Sequence, residues 1–337
     1  MIAILMCTYN GEKYIQEQID SILSQTCKDY ILYISDDGST DTTVEITKKY
    51  AETYPDKVKL IHLNQLHNGA CMHFLKAMQE PIIMEADYVM FSDQDDIWHP
   101  DKVEVTLKAM QDLEQEKYDA GNGVKTDIPL LVHCDARLMD NNKTIYSPSF
   151  TEYANLNQSK ATFSHLLVQN TVTGAAMMMN KALTQKLTRI PEKSMMHDHW
   201  IALVAATFGE IKFIDKQLYD YRQHIENVLG ANKGGLYEEV IGFWGGRAEK
   251  KRKRKEVREQ VRQNYANMIY QAQELNRIYG DALPKDKQNI LHSFISIPQK
   301  NAIARVYTIL RHNITCDNWY RVIGQCSFFL QSRIIKE

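Results

Sequence analysis

Four short apolar runs, each followed by a stretch with helical spacing, constrain this chain more than any other feature. Residues 2–7, 30–35, 58–63 and 88–92 are continuous or nearly continuous runs of bulky side chains. Such runs are expected of strands buried on both faces. After the first, Ile15, Ile19, Ile22 and Leu23 recur at helical spacing. After the second come Val44, Ala51 and Tyr54, with Thr42 and Glu45 spaced as a capping box. Phe74, Ala77 and Met78 follow the third run, and a helix over residues 101–116 is predicted after the fourth. This alternation predicts an α/β fold: an open, mostly parallel, Rossmann-like sheet flanked by helices.

In open α/β sheets ligands bind outside the carboxyl ends of the strands. Three predicted strand ends carry polar clusters: Thr8-Tyr9-Asn10, Asp36-Asp37-Gly38 and Asp93-Gln94-Asp95. Solvated turns would account for each separately; a nucleotide cleft accounts for all three. No Gly-x-Gly-x-x-Gly or Walker A pattern is present, which disfavours dinucleotide oxidoreductases and P-loop enzymes.

The stretch Phe91-Ser92-Asp93-Gln94-Asp95-Asp96-Ile97-Trp98-His99-Pro100 ends the fourth strand in three carboxylates. Burying unpaired charge is costly, so they are expected at the mouth of a cleft. An Asp-x-Asp pair there suits a hard divalent cation such as Mg2+ or Mn2+, whose other ligands are water and substrate phosphates. The alternative is an acidic turn that caps the helix starting near Pro100.

The second half is less regular. Residues 130–135 and 170–179 read as strands, with Gly174 allowing a close approach and Met178 filling core. His197-Asp198-His199-Trp200 leads into an apolar helix over 201–208, and 218–224 reads as a short strand. From about Gly230 the composition shifts. Phe243 and Trp244 lie between glycine pairs, and Lys250-Lys251-Arg252-Lys253-Arg254-Lys255 is an unbroken basic run. Helical patterns follow over 256–279 and around 303–309, and Phe328, Phe329, Leu330, Ile334 and Ile335 lie near the end. Two regions are expected: 1–229, carrying the cleft, and 230–337, mostly helical, for membrane docking, acceptor docking or homodimer formation.

Net charge is −2, so no global field attracts nucleic acid. The six cysteines are scattered without a Cys-x-x-Cys, which argues against zinc or a disulfide framework and for a reducing compartment. No apolar stretch reaches the roughly 18 residues of a membrane-spanning helix, and the N-terminal apolar run is too short for a signal peptide. The expectation is a cytoplasmic protein, peripheral at the inner face of the cell membrane.

These motifs, in this order, resemble family 2 glycosyltransferases of the GT-A fold over roughly residues 1–225. The matching pieces are Thr8-Tyr9-Asn10-Gly11, the segment from Asp36 to Asp41, Asn68-Gly69, Ser92-Asp93-Gln94-Asp95-Asp96-Ile97-Trp98 and His197-Asp198-His199-Trp200. The Asp-Gln-Asp-Asp-x-Trp form, with Tyr221-Arg222-Gln223-His224 and Asn227-Val228-x-Gly230, is most similar to bacterial rhamnosyltransferases of surface polysaccharide assembly.

The resemblance implies an inverting, metal-dependent transfer from a nucleotide-sugar, TDP-rhamnose or alternatively a UDP-hexose. The acceptor is a saccharide or lipid-linked saccharide of cell-wall or capsule synthesis. A nucleotide-binding scaffold without turnover is the alternative from another class. Asp198 matches the catalytic base, and its residue-level alternative is a plain helix N-cap. Thr8, Tyr9, Asn10, Asp36, Asp93 and Gln94 match the donor nucleotide site, Asp36 taking the base N–H and Asp93 lying beside ribose and metal. Asp95 and His224 match the metal ligands, with a structural His224 as the alternative. Arg222 is read as a phosphate partner and Asp37 as a turn-holding residue. His197 stands where the family often has an acidic residue, so it and His199 either contact acceptor or diphosphate, or pack. The basic run admits a solvated helix face, nucleic acid, or anionic lipid; Phe243, Trp244 and the apolar C-terminus favour lipid.

Overall fold

β1 (Ile2–Thr8) is buried along its whole length and pairs in parallel on both sides. Its neighbours are β2 (Tyr30–Asp36) and β4 (Tyr88–Ser92), and β3 (Val58–Ile61) extends the parallel set beyond β2. This computed structural model describes residues 1–121, 123, 127–223 and 247–331, with the backbone alone for 247–254. β5 (Ile97–Trp98), β6 (Leu130–Met139), β7 (Ile145–Ser147), β8 (Met177–Asn180) and β9 (Glu210–Arg222) complete one sheet. Its strand order is β3-β2-β1-β4-β8-β6-β9-β5, with β7 on β6.

The predicted parallel sheet is present through β1 to β4. Beyond β4 the sheet is mixed: β8 runs antiparallel to both β4 and β6, β6 and β9 are parallel, and β5 is antiparallel to β9. The strand expected over 170–179 is shorter, because a 3-10 turn at Gly174–Ala176 precedes β8. The short strand expected at 218–224 is the end of the longer β9.

Two compact units divide the chain. The first takes residues 1–150, 172–190 and 196–230; the second takes 151–171, 191–195 and 231–337. The first unit holds the sheet and the longer helices α1 (Ile15–Leu23), α2 (Thr43–Thr53), α3 (Gly69–Ala77), α4 (Lys102–Ala120) and α5 (His197–Phe208). Its core joins Ile4, Met6, Ile19, Leu32, Met90, Val132 and Met178. The Thr42–Glu45 capping box does not form. Thr42 is the N-cap but makes no side-chain cap bond. The Glu12 carboxylate accepts from the Thr42 N–H at 3.0 Å and from its hydroxyl at 2.7 Å, and Asp41 accepts from the Thr43 N–H at 3.0 Å. The Glu12 carboxylate thus takes the Thr42 N–H that Glu45 was expected to serve.

The second unit is helical: α6 (Arg247–Tyr279), α7 (Lys285–Ile295), α8 (Ala302–Arg311) and α9 (Trp319–Gln331). Leu291, Phe294, Ile309 and Phe329 are fully buried in it, and Phe329 meets Tyr265 edge-on at 4.8 Å. The basic run begins α6, and of its side chains only Lys255 is described, as exposed. Phe243, Trp244, Ile334 and Ile335 lie outside the described residues. Among the described residues, no helix is long and apolar enough to cross a membrane.

Candidate functional site

The three polar strand ends meet at one edge of the sheet. Thr8 is paired with Asp36 in the β1–β2 register, and Met6 with Ser92 in the β1–β4 register. Side chains then stitch the ends together. Gln94 accepts from the Tyr9 N–H at 3.0 Å and donates to the Tyr9 carbonyl at 3.0 Å. A Cβ on Gly11 would lie 2.3 Å from the Gln94 Oε1, so a side chain there would displace the Gln94 amide from this position. The Asn10 N–H donates to Ser39 Oγ at 2.8 Å, and Asn10 Oδ1 accepts from the Thr40 N–H at 2.8 Å. Tyr9 is left with its ring half exposed, edge-on to His67.

Asp36 has all four carboxylate acceptor positions engaged. Its Oδ1 takes the Gly38 N–H at 3.0 Å and the Ser39 N–H at 2.8 Å; its Oδ2 takes the Thr8 hydroxyl at 2.8 Å and the Ser39 hydroxyl at 2.5 Å. A nucleobase N–H arriving here must share with or displace one of these hydroxyls. Asp37 is buried and accepts from the Asn68 and Gly69 N–H groups at 3.0 and 2.9 Å, holding the turn as read from the sequence.

The acidic end of β4 is electrostatically loaded. Burial, then the charges of Asp95 and Asp198, push the Asp93 carboxyl up to about 7. Asp96 is fully buried; it accepts from the Arg222 N–H at 3.2 Å through one oxygen, and its other oxygen has no partner among the described residues. Burial and its two acidic neighbours raise its carboxyl well above the usual range. Below the cluster sits Lys102, a residue that sequence reasoning missed. It is fully buried, its Nζ lies 3.8 Å from the Trp98 ring centroid and 4.1 Å from that of Tyr219, and it donates to the Ala175 carbonyl at 2.5 Å. Burial pulls its ammonium down to about 8, against the opposing pull of Cys134, Asp96 and Asp93. A lysine in the first turn of a predicted helix reads as surface, so no local pattern marks it.

Asp198 stands at the second position of α5, where the N-cap is Met196. The plain N-cap alternative is therefore not met. Its carboxylate accepts from the His199 N–H at 2.6 Å and the Gly174 N–H at 3.2 Å, and burial raises it to about 6. Gly174 makes the predicted close approach: a Cβ there would meet His197 Nε2 at 2.6 Å and Asp198 Cβ at 3.6 Å. His197 packs. Its ring stacks on Phe74 at 4.2 Å and meets Phe91 edge-on at 5.4 Å, and neither ring nitrogen has a hydrogen-bond partner among the described residues. Burial lowers it to about 3, so it is neutral. His199 is also buried.

Arg222 is not placed as a phosphate clamp. Its side chain is 1% exposed; it donates to the Asp95 carbonyl at 2.8 Å and to Glu17 at 2.7 Å, and its guanidinium lies 4.6 Å from the Tyr14 ring centroid. It holds the backbone beneath the acidic stretch. His224 lies outside the described residues.

A divalent cation is implied by the fold. Among the described residues no three His, Cys, Asp or Glu side chains form a metal cluster. Asp93 and Asp95 nevertheless suit an ion of the Mg2+ type, which takes one or two carboxylates and completes its shell with water and substrate phosphate. The crowding of Asp93 by Asp95 and Asp198 is a repulsion that a bound cation relieves.

An α/β sheet with polar clusters at its strand ends, and an acidic turn close to a buried carboxylate, is the architecture of the GT-A fold. Residues 3–125 match the family model "Glycosyl transferase family 2". The dTDP-rhamnosyl transferase RfbG of Shigella flexneri is 29% identical over 236 residues, 67% of this chain and 74% of that one. The putative teichuronic acid biosynthesis glycosyltransferase TuaG of Bacillus subtilis is 30% identical over 112 residues, covering 33% of this chain and only 42% of TuaG. The crystal structure of S. aureus TarS 1–349 with UDP-GlcNAc superposes with a TM-score of 0.50 at 16% identity, over 93% of this chain and 88% of that one. That likeness is one of fold.

Proposed function

We propose that this chain is an inverting, metal-dependent rhamnosyltransferase. It moves L-rhamnose from TDP-rhamnose onto a saccharide or lipid-linked saccharide acceptor in bacterial cell-surface polysaccharide synthesis. The observation that carries the transfer is the convergence of the acidic β4 end and Asp198, close enough for Asp198 to raise Asp93. The rhamnose assignment rests on the similarity to RfbG across two thirds of the chain and on the Asp-Gln-Asp-Asp-x-Trp motif.

In this reading the Thr8–Asn10 and Asp36 end receives base and ribose, with the exposed Tyr9 ring as a stacking face. Gln94 fixes the Tyr9 backbone. Asp93 and Asp95, with His224 as the further candidate, hold Mn2+ or Mg2+. When bound, the cation supplies charge neutralisation for the departing diphosphate. Asp198 accepts the acceptor hydroxyl proton. The acceptor oxygen bonds to the anomeric carbon from the face opposite the diphosphate, whose C–O bond breaks, so configuration inverts. A carboxylate raised to about 6 suits this role: it is mostly ionised at neutral pH and a stronger base than an exposed aspartate.

The test is thermal stabilisation by TDP, UDP, GDP and ADP, each with and without Mn2+. Saturation at about 100 times the dissociation constant adds roughly 2.7 kcal/mol. A metal-dependent shift, larger with TDP than UDP, is expected. A shift with UDP alone removes the rhamnose assignment and leaves a UDP-hexose enzyme. No shift with any nucleotide overturns the cleft itself.

A further inference from the structure

Lys102 opens α4 with a side chain that the core alone does not call for. It is fully buried, and its one side-chain hydrogen bond among the described residues runs to the Ala175 carbonyl at 2.5 Å. Asp93, Asp96 and Cys134 act on the ammonium through space. A buried ammonium with no hydrogen-bonded carboxylate opposes folding, and an apolar side chain of similar volume in such a place is often neutral or stabilising. Filling the core therefore does not account for a lysine here.

The ammonium is aimed. Trp98 on β5 and Tyr219 on β9 stand opposite each other in the strand register, and both are buried. Their ring centroids lie 3.8 and 4.1 Å from Lys102 Nζ, so two aromatic faces hold the charge. The base of the side chain is anchored too. The Lys102 N–H donates to the His99 carbonyl at 3.1 Å, and the next N–H, that of Val103, donates to Gln25 Oε1 at 3.0 Å.

What the ammonium grips is the turn at Gly174–Ala176. The Ala176 N–H closes this turn on the Thr173 carbonyl at 3.0 Å, and the Cys134 thiol donates to the Ala176 carbonyl at 3.5 Å. One residue before the carbonyl that Lys102 holds, the Gly174 N–H donates to the Asp198 carboxylate at 3.2 Å. The other donor to that carboxylate among the described residues is the His199 N–H, on the same helix start. From outside α5, then, the turn alone sets how the Asp198 carboxylate is rotated.

We propose that Lys102 is a positioning residue for the transfer reaction. Held between Trp98 and Tyr219, it fixes the turn through the Ala175 carbonyl, and the turn fixes Asp198 through the Gly174 N–H. This rests on the reading of Asp198 as proton acceptor and adds the residue that orients it. A general base must meet its proton in a narrow range of geometry, and a misplacement of about 1 Å can lose 10²-fold in rate. A lysine held in place serves that end where a neutral filler leaves the turn free.

Lys102→Met, close in shape and without the ammonium, is the test in the full chain. Turnover is read as TDP released from TDP-rhamnose with Mn2+ and water as acceptor. A fall in kcat of about 10- to 100-fold is expected, with KM for TDP-rhamnose and the thermal shift by TDP as in the parent. The Gly174 amide, followed by NMR, should exchange with deuterium at least about tenfold faster. In an Asp198→Asn background Lys102→Met should lower kcat by less than about twofold, because both changes act through one carboxylate. Lys102→Gln keeps an N–H donor on a shorter side chain. It serves if the Met variant does not fold, and should show the same dependence on Asp198. Unchanged kcat, unchanged Gly174 exchange, or an equal loss of kcat with Asp198 and with Asn at 198 overturns the proposal. So does a lowered melting temperature with kcat intact, which would make Lys102 a structural residue only. Undiminished TDP release by Asp198→Asn alone removes the base reading itself. A loss there, joined to an additive effect of Lys102→Met, removes only the role of Lys102.

Discussion

At the scale of single residues, Asp198 has the most direct consequence. Asp198→Asn keeps the shape of the side chain and removes the proton acceptor. Nucleotide-induced thermal stabilisation should be unchanged while transfer falls by about 10²- to 10⁴-fold, the range for loss of a general base. Retained transfer would remove Asp198 from the base role. The pH profile follows from the same burial. The group is raised from 3.8 to about 6, so kcat/KM should fall as pH drops through about 6 and the carboxylate is protonated. Stability carries the opposite sign. The folded state holds this proton more tightly than the unfolded chain, so the contribution of Asp198 to stability rises as pH falls from about 6 towards 3.8. The identity of Asp198 was legible in the sequence; its elevated affinity for a proton was not, because that depends on which segments bury it. The same holds for His197. Its position in His-Asp-His-Trp left ligand contact and packing equally open, and only the rings of Phe74 and Phe91 decide for packing. Lys102 and Arg222 are the converse case. Lys102 reads as an ordinary surface lysine and Arg222 as a phosphate partner, and both are nearly or wholly buried under the acidic stretch.

At the scale of elements, the Gly174–Ala176 turn links the two halves of the site. Its Gly174 N–H holds Asp198, and its Ala175 carbonyl takes the Lys102 ammonium. The sequence marked Gly174 as a point of close approach but continued the strand through it. The turn forms because the chain must pass the α5 N-terminus, where His197 and Asp198 leave no room for a side chain. Gly174→Ala sets a methyl 2.6 Å from the His197 Nε2. Overpacking of this kind costs about 1–3 kcal/mol. A lowered denaturant midpoint is expected, with kcat falling more than nucleotide affinity because the Asp198 carboxylate is displaced. An unchanged midpoint would mean that the α5 N-terminus yields freely. Helix starts were also legible only in part. The Thr42–Glu45 spacing fits a capping box, yet Glu12, thirty residues away in sequence, takes the Thr42 N–H and hydroxyl, because the β1 and β2 turns lie side by side.

At the scale of the whole molecule, the proposed cation belongs to the reaction and not to the fold. The sheet is held by apolar contacts such as those of Ile4, Leu32, Met90 and Val132, none of which needs a metal. A chelator should therefore abolish transfer while leaving the melting temperature of the nucleotide-free protein within about 2–4 °C, the shift that ~1 kcal/mol produces in a protein of this size. A large loss of stability on chelation would show a structural ion instead. The amino-acid sequence by itself determined the strand–helix alternation of the first hundred residues, the placing of three polar clusters at one sheet edge, and the family model that residues 3–125 match. These follow from local periodicity and from motifs that are contiguous in the chain. Tertiary structure alone decided the mixed extension of the sheet and the share of residues 151–171 and 191–195 in the second unit. It also decided the burial of Lys102 beneath the carboxylates and the exposure of Ile303 and Trp319 beside fully buried Ile309 and Phe329. Burial is set by contacts between segments far apart in sequence, and a helical pattern names an apolar face without naming what covers it.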